Sequence, residues 1–193
     1  MTSWSGKHLR GRFNTYSPTK HLLTYSPKPN HYENKIFITG GTFDKEHDPI
    51  NESLVFNETH LLEILERSKS LLDVKVRTIM LIDSLDMTTG DMRIILKACK
   101  DAVEDKIVIT HGTSNMEKTA TFLGKAIKNK TIILTGAMVP YVFLNSDALF
   151  NIGAALAFAQ TLPRGVYITM NGKYFRWDNV TKNTKLGVFE EVK

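Results

Sequence analysis

The chain has 193 residues, 42% of them hydrophobic and 23% charged, which suits one globular domain with a sizeable core. No apolar run approaches the roughly 18–20 residues of a membrane-spanning helix, and the single cysteine, Cys99, excludes an intrachain disulfide framework. The net charge of +5 belongs to the first 35 residues, where Lys7, Arg10, Arg12, Lys20, Lys28 and Lys35 face Glu33 alone, so the rest is neutral and the electrostatic case for nucleic acid falls away.

Residues 1–34 are polar, basic and interrupted by Pro18, Pro27 and Pro29; they read as a disordered extension, because so few apolar groups cannot offset the entropy of ordering it. Acid-poor and rich in Ser and Thr, the segment resembles an organelle transit peptide, but its prolines break any amphipathic helix, and no secretory apolar core is present. The expected location is cytoplasmic. Order is expected over residues 35–193, starting with a strand, Lys35–Thr39, that stops at Gly40-Gly41-Thr42. A polar loop, Phe43–Asn57, follows. From Glu58 the spacing of Leu61, Leu62, Ile64, Leu65, Leu71 and Leu72 predicts a helix against one face of a sheet.

Val74–Leu81 reads as the second strand, ending at Asp83-Ser84-Leu85-Asp86. Thr88 or Thr89 caps a helix to about Glu104, in which Cys99 is a buried thiol. Lys106–Thr110 is the third strand, and Ser114 with Glu117 has the spacing of a capping box for a helix to about Lys128. Thr131–Thr135 is the fourth strand, halted by Gly136-Ala137-Met138. Ser146 or Asp147 caps a helix over Ala148–Gln160, and Gly165–Met170 is the fifth strand. Asn171-Gly172 is a type I′ hairpin signal, so Lys173–Arg176 should return antiparallel.

Strands alternating with helices predict an α/β fold, a three-layer α/β/α sandwich on a mainly parallel, flavodoxin-like (Rossmann-like) sheet. Ligands gather at the carboxyl ends of such strands, and that rim collects Gly41-Thr42, Ser84, Gly112-Thr113-Ser114 and Gly136-Ala137. Glycine lets main chain approach a ligand, and a threonine hydroxyl can attack a carbonyl if a base accepts its proton. His111 and a lysine of depressed pKa are both candidates for that base, and spacing does not choose between them. A phosphate-binding turn is the competing reading of Gly-Gly-Thr, but neither GxGxxG nor GxxxxGK[ST] is present. The histidines show no HxH or HxxxH spacing, so no metal and no cofactor is expected.

Together the segments Ile38-Thr-Gly-Gly-Thr-Phe43, Asp83-Ser-Leu-Asp-Met87, Ile109-Thr-His-Gly-Thr-Ser-Asn-Met-Glu117, Leu134-Thr-Gly-Ala-Met-Val-Pro140 and Asn179-Val-Thr-Lys-Asn183 resemble the bacterial-type L-asparaginase family, through its N-terminal domain, in order and interval. The resemblance implies hydrolysis of a side-chain amide through an acyl-threonine. It makes Thr42 the attacking hydroxyl, with Thr113 and Lys182 a second Thr–Lys pair, and gives substrate contacts to Gly41, Ser84, Gly112, Ser114 and Ala137.

Three departures stand out. Ser114 occupies the place of the family's aspartate, which grips the substrate's ammonium; the change forfeits a charge-assisted bond of about 1.5–3 kcal/mol. Residues 43–57 hold no tyrosine to assist the nucleophile, His47 being the obvious substitute, and the sequence runs to Lys193 without the family's second domain. Val139 also stands where arginine is usual. The expectation is a single-domain asparaginase-like amidohydrolase that releases ammonia from asparagine or a related small amide. The alternative is an inactive binding or interaction module on the same fold. Expected partners are the small amide or amino acid and further copies of the chain, as a dimer or tetramer, with neither nucleic acid nor membrane.

Overall fold

The computed structural model describes residues 34–192, so the basic extension, apart from Asn34, lies outside the described residues. In chain order the elements are β1 (Asn34–Gly40), a single 3-10 turn (Thr42–Asp44), β2 (Lys45–Asp48), β3 (Ser53–Phe56), α1 (Leu61–Arg67) and β4 (Val74–Ile82). Then come α2 (Thr89–Asp101), β5 (Lys106–Thr110), α3 (Met116–Ala126), β6 (Thr131–Thr135), α4 (Ala148–Thr161), β7 (Gly165–Met170), β8 (Lys173–Arg176), β9 (Thr181–Asn183) and β10 (Val188–Glu190).

The main sheet has six strands in the order β4-β1-β5-β6-β7-β8, parallel except for β8 against β7. Its five parallel strands, counted along the chain, follow the flavodoxin order 2-1-3-4-5. Alternation along the strands divides the core. Phe37, Ile107, Ile109, Ile132, Leu134, Val166 and Ile168 meet Ile95 and Cys99 of α2 and Met116, Ala120 and Leu123 of α3 on one face. Ile36, Ile38, Val108, Ile133 and Tyr167 meet Leu61 and Ile64 of α1 and Ile152, Ala155 and Leu156 of α4 on the other. Both faces are covered, so these strands read as nearly unbroken apolar runs, each fully buried side chain contributing about 1.5–3 kcal/mol.

Local chemistry explains most element ends. Thr88 Oγ1 accepts from Asp91 N while the Asp91 carboxylate accepts from Thr88 N at 2.8 Å, the reciprocal box that starts α2. Asn171 and Gly172 take φ of 52° and 80°, as a type I′ turn requires. Cys99 is fully buried, and desolvation pushes its thiol up to about 12.

Several expectations fail. The helix predicted from Glu58 is only Leu61–Arg67: Lys69 turns to φ 51°, leaving Leu72 on the core and Leu71 fully exposed. The Phe43–Asn57 loop contains the antiparallel hairpin β2–β3. The cap of α3 is Asn115, without a side-chain cap bond, so Ser114 and Glu117 form no capping box. By contrast Asp147 is the N-cap of α4 as expected, although the side-chain oxygen that accepts from Ala148 N is Ser146 Oγ. Strands β9 and β10 were not legible in the sequence.

Candidate active site

Strand order reverses beside β1, whose neighbours are β4 on one side and β5 on the other. Ligand-binding crevices form beyond the carboxyl ends of the strands at such a reversal, and the two glycine–threonine segments meet there, at the ends of β1 and β5. Gly41 has φ 80° and donates its N–H to Ile82 O at 3.0 Å. A Cβ on Gly41 would stand 2.2 Å from Gly112 N, and one on Gly112 would stand 2.4 Å from Ser84 Oγ. Only glycine permits this approach, and it brings the loops after β1, β4 and β5 together. Asn115 strengthens the junction, its Nδ2 donating to Ser84 O at 2.6 Å.

The floor is tied across strands by hydroxyls. Thr39 Oγ1 donates to Thr110 O at 2.7 Å and Thr135 Oγ1 to Thr169 O at 2.8 Å, while His111 N donates to Thr135 O at 2.8 Å. The turn after β6 leans on the same place: a Cβ on Gly136 would lie 2.3 Å from His111 O. Asp147 holds this turn, accepting from Met138 N at 2.9 Å and Val139 N at 3.1 Å. The methyl of Ala137 is buried with Phe43 and Tyr141, so what Ala137 can offer a ligand is main chain.

Lys182 comes from outside the main sheet. It lies on β9, and its Nζ is 2.7 Å from Thr113 Oγ1. Thr113 is buried and Lys182 half-buried. Desolvation holds the Lys182 ammonium below its ordinary pKa, and the charge of Glu117 works against that shift. Of the two candidate bases, it is lysine and not histidine that lies against the Thr113 hydroxyl. His111 is fully buried, with Nδ1 2.8 Å from Gly112 O and Nε2 3.2 Å from Met87 Sδ, and burial pushes its pKa down to about 4.

Thr42 opens the 3-10 turn and is half-buried; its carbonyl accepts from Lys45 N. Two positions on, Asp44 is wholly buried, with Oδ1 accepting from Thr59 Oγ1 at 2.8 Å and Oδ2 without a partner. Desolvation raises its pKa to about 6, against the smaller opposing effects of Thr59 and His60. The β2–β3 hairpin is pinned at its base, where Lys45 Nζ donates to Asp83, Asn57 Nδ2 donates to Glu46 Oε2 at 2.9 Å, and His60 Nε2 lies 2.7 Å from Glu46 Oε1. His47 is exposed on β2, opposite Leu54 in the register.

The structure therefore gathers Gly41, Thr42, Ser84, Gly112 and Thr113 at the carboxyl ends of β1, β4 and β5, with Lys182 reaching in to Thr113 and Ser114 exposed beside it. The sequence does not show the junction made by Asn115, the hold of Asp147 on the turn after β6, or the role of Glu117, whose Oε1 accepts the backbone N–H of Lys182. The Ser114–Glu117 spacing had a ready reading as a cap, which hid a long-range partner. Among the described residues no group of three or more His, Cys, Asp or Glu could hold a metal ion, and no helix is long and apolar enough to cross a membrane.

Comparison with known proteins identifies the family and the fold. A family model described as "Asparaginase, N-terminal" matches residues 35–191. The chain is 31% identical over 158 residues to L-asparaginase of Thermococcus kodakarensis, covering 79% of this chain and 48% of that protein. It is 31% identical over 172 residues to L-asparaginase 2 of Escherichia coli, covering 81% and 49%. Among solved structures, the thermostable L-asparaginase from Thermococcus kodakarensis superposes with a TM-score of 0.74 at 28% identity, covering 83% of this chain and 51% of that one. The chain thus spans about half the length of the curated relatives it matches.

Proposed function

The chain belongs to the asparaginase family, matched over residues 35–191 by the N-terminal domain model, and on that footing we propose that it is an amidohydrolase releasing ammonia from asparagine or a related small amide. The observation that carries the proposal is the 2.7 Å approach of Lys182 Nζ to Thr113 Oγ1, beside the Gly41–Gly112 contact from which Thr42 emerges. A structural role for this corner would need neither a half-buried amine nor two hydroxyls at adjoining strand ends.

In this reading Thr42 Oγ attacks the amide carbon and its proton passes to a base. The oxyanion is received by backbone N–H groups of the glycine–threonine turns, where one donor is commonly worth about 3 kcal/mol. The C–N bond then breaks and ammonia leaves with a proton. Water, activated by the Thr113–Lys182 pair, hydrolyses the acyl-threonine and regenerates Thr42. Amide plus water becomes carboxylate plus ammonium, with no redox partner. Gly41, Ser84, Gly112, Ser114 and the main chain of Ala137 line the substrate's place.

The test is ammonia release from asparagine, glutamine and monoamides that lack the α-amino group. Turnover that disappears in Thr42→Ala and in Thr113→Ala supports the proposal. No turnover across the panel removes it and leaves a binding module on the same fold. Assembly into a homo-oligomer belongs to the same reading: Leu144, Leu149 and Phe150 are exposed in and after the loop that leads into α4. Sedimentation as a monomer at micromolar concentration would overturn that part.

A further inference from the structure

Position 114 is uncharged, yet the Thr–Lys pair beside it has a carboxylate in contact. Glu117 lies in the first turn of α3, where the helix dipole favours an anion. Its Oε1 accepts the main-chain N–H of Lys182, and the side chain of the same Lys182 reaches Thr113. One acidic group therefore touches the pair at its root.

The position of Lys182 needs such a tie. β9 has three residues and pairs only with β10, outside the six-stranded sheet, so no ladder of the main sheet fixes its register. Other charged groups nearby are engaged elsewhere. Glu190 of β10 accepts from Asn183 Nδ2 at 3.4 Å, and Asp83 is ion-paired with Lys45. His111 points its Nε2 at Met87.

We propose that Glu117 is the positioning residue of the Thr113–Lys182 pair: its carboxylate anchors β9 to α3 through the Lys182 N–H and supplies the negative charge that Ser114 does not. The two jobs are separable. Anchoring needs only an acceptor oxygen, which an amide also has. Charge acts on the amine through space and keeps Lys182 from losing its proton too readily, against the desolvation that drives the loss. The kinetic part rests on the amidohydrolase reading; the titration part does not.

The experiment uses the full chain with 13C-labelled lysine, the Lys182 signal being assigned by its absence in Lys182→Arg. Glu117→Gln keeps the acceptor and removes the charge, so the Lys182 titration midpoint should fall by about half a pH unit or more. The rising limb of kcat/KM against pH should move down with it. Glu117→Ala also loses the anchor, and kcat should fall about tenfold or more with a smaller change in KM. A Glu117→Gln midpoint equal to that of the wild type overturns the charge role, and wild-type kcat in Glu117→Ala overturns the anchor. If Glu117→Ala does not fold, the Glu117→Gln titration still decides the charge role. If the wild type turns over no amide, the function fails while the titration still judges Glu117.

Discussion

Gly41 and Gly112 touch main chain to main chain, for a Cβ on the first would stand 2.2 Å from the backbone nitrogen of the second. Gly41→Ala meets a backbone that cannot yield and a φ of 80° that L residues rarely adopt. It should cost at least about 2–3 kcal/mol in urea unfolding. Gly112→Ala meets the Ser84 side chain instead. The double change Gly112→Ala/Ser84→Gly should therefore recover part of the lost stability, which no partner substitution can do for Gly41→Ala. Wild-type stability in Gly41→Ala would contradict the contact.

Two buried groups work against each other in acid. Asp44 titrates near 6 in the fold against an ordinary 3.8, so its contribution to stability is complete below 3.8 and is lost as pH rises through about 6. His111 titrates near 4 against an ordinary 6.5, so its contribution is complete above 6.5 and is lost as pH falls towards 4. Each amounts to at most roughly 3 kcal/mol, and over the shared window the slopes oppose. Asp44→Asn, which can keep the Thr59 contact, should therefore unmask a rise in urea midpoint from pH 4 to 6.5. His111→Gln should unmask a fall. Variants that track the wild type across this range would refute the assignment.

Asp147 tests how the turn after β6 is held. Asp147→Ala leaves the N–H groups of Met138 and Val139 without their acceptor and also removes the contact of Asn151 Nδ2 with Asp147 Oδ2 at 2.8 Å. A loss of about 2 kcal/mol is expected, since hydrogen bonds to a charged group contribute more than neutral ones. Amide exchange at Met138 and Val139 should accelerate more than in the strands β5 and β6. Uniform exchange would place the effect elsewhere.

Lys182 can be asked whether it works as an amine or as a cation. Arginine keeps a positive charge at every accessible pH and methionine has none. Desolvation of Lys182 favours the neutral amine, so Lys182→Arg and Lys182→Met should both lose about 10²–10⁴-fold in turnover, the range of a general base. Activity retained in Lys182→Arg alone would assign the residue a charge role.

Legibility followed the range of the interactions. Thr131–Thr135 and Gly165–Met170 are legible to the residue because their apolar runs are local and end in turn chemistry, and Lys173–Arg176 because the Asn171-Gly172 turn announces it. The β2–β3 hairpin was missed because Lys45, Glu46, His47 and Asp48 have no apolar alternation; salt bridges and side-chain hydrogen bonds at its base hold it. Leu71 and Leu72 prolonged a helical period past the true end of α1, because periodicity does not register the left-handed backbone at Lys69. The strand ends that carry Thr42, Ser84 and Thr113 can be located in sequence, whereas Lys182 is singled out only by the family resemblance. Glu117 and Asn115 act across 65 and 31 residues, and no local pattern encodes such a partner.

Lys182 follows every strand of the main sheet in chain order. A ribosome that delivers the chain from its amino end therefore releases β1 to β8, and with them both threonines, before the amine that completes the pair. The nascent domain can lay out its sheet before the amine arrives, but its core waits longer, because Phe189 of β10 completes it from beyond Lys182. The seating of β9 and β10 is thus shared work: Phe189 fills the core while Lys182 reaches Thr113.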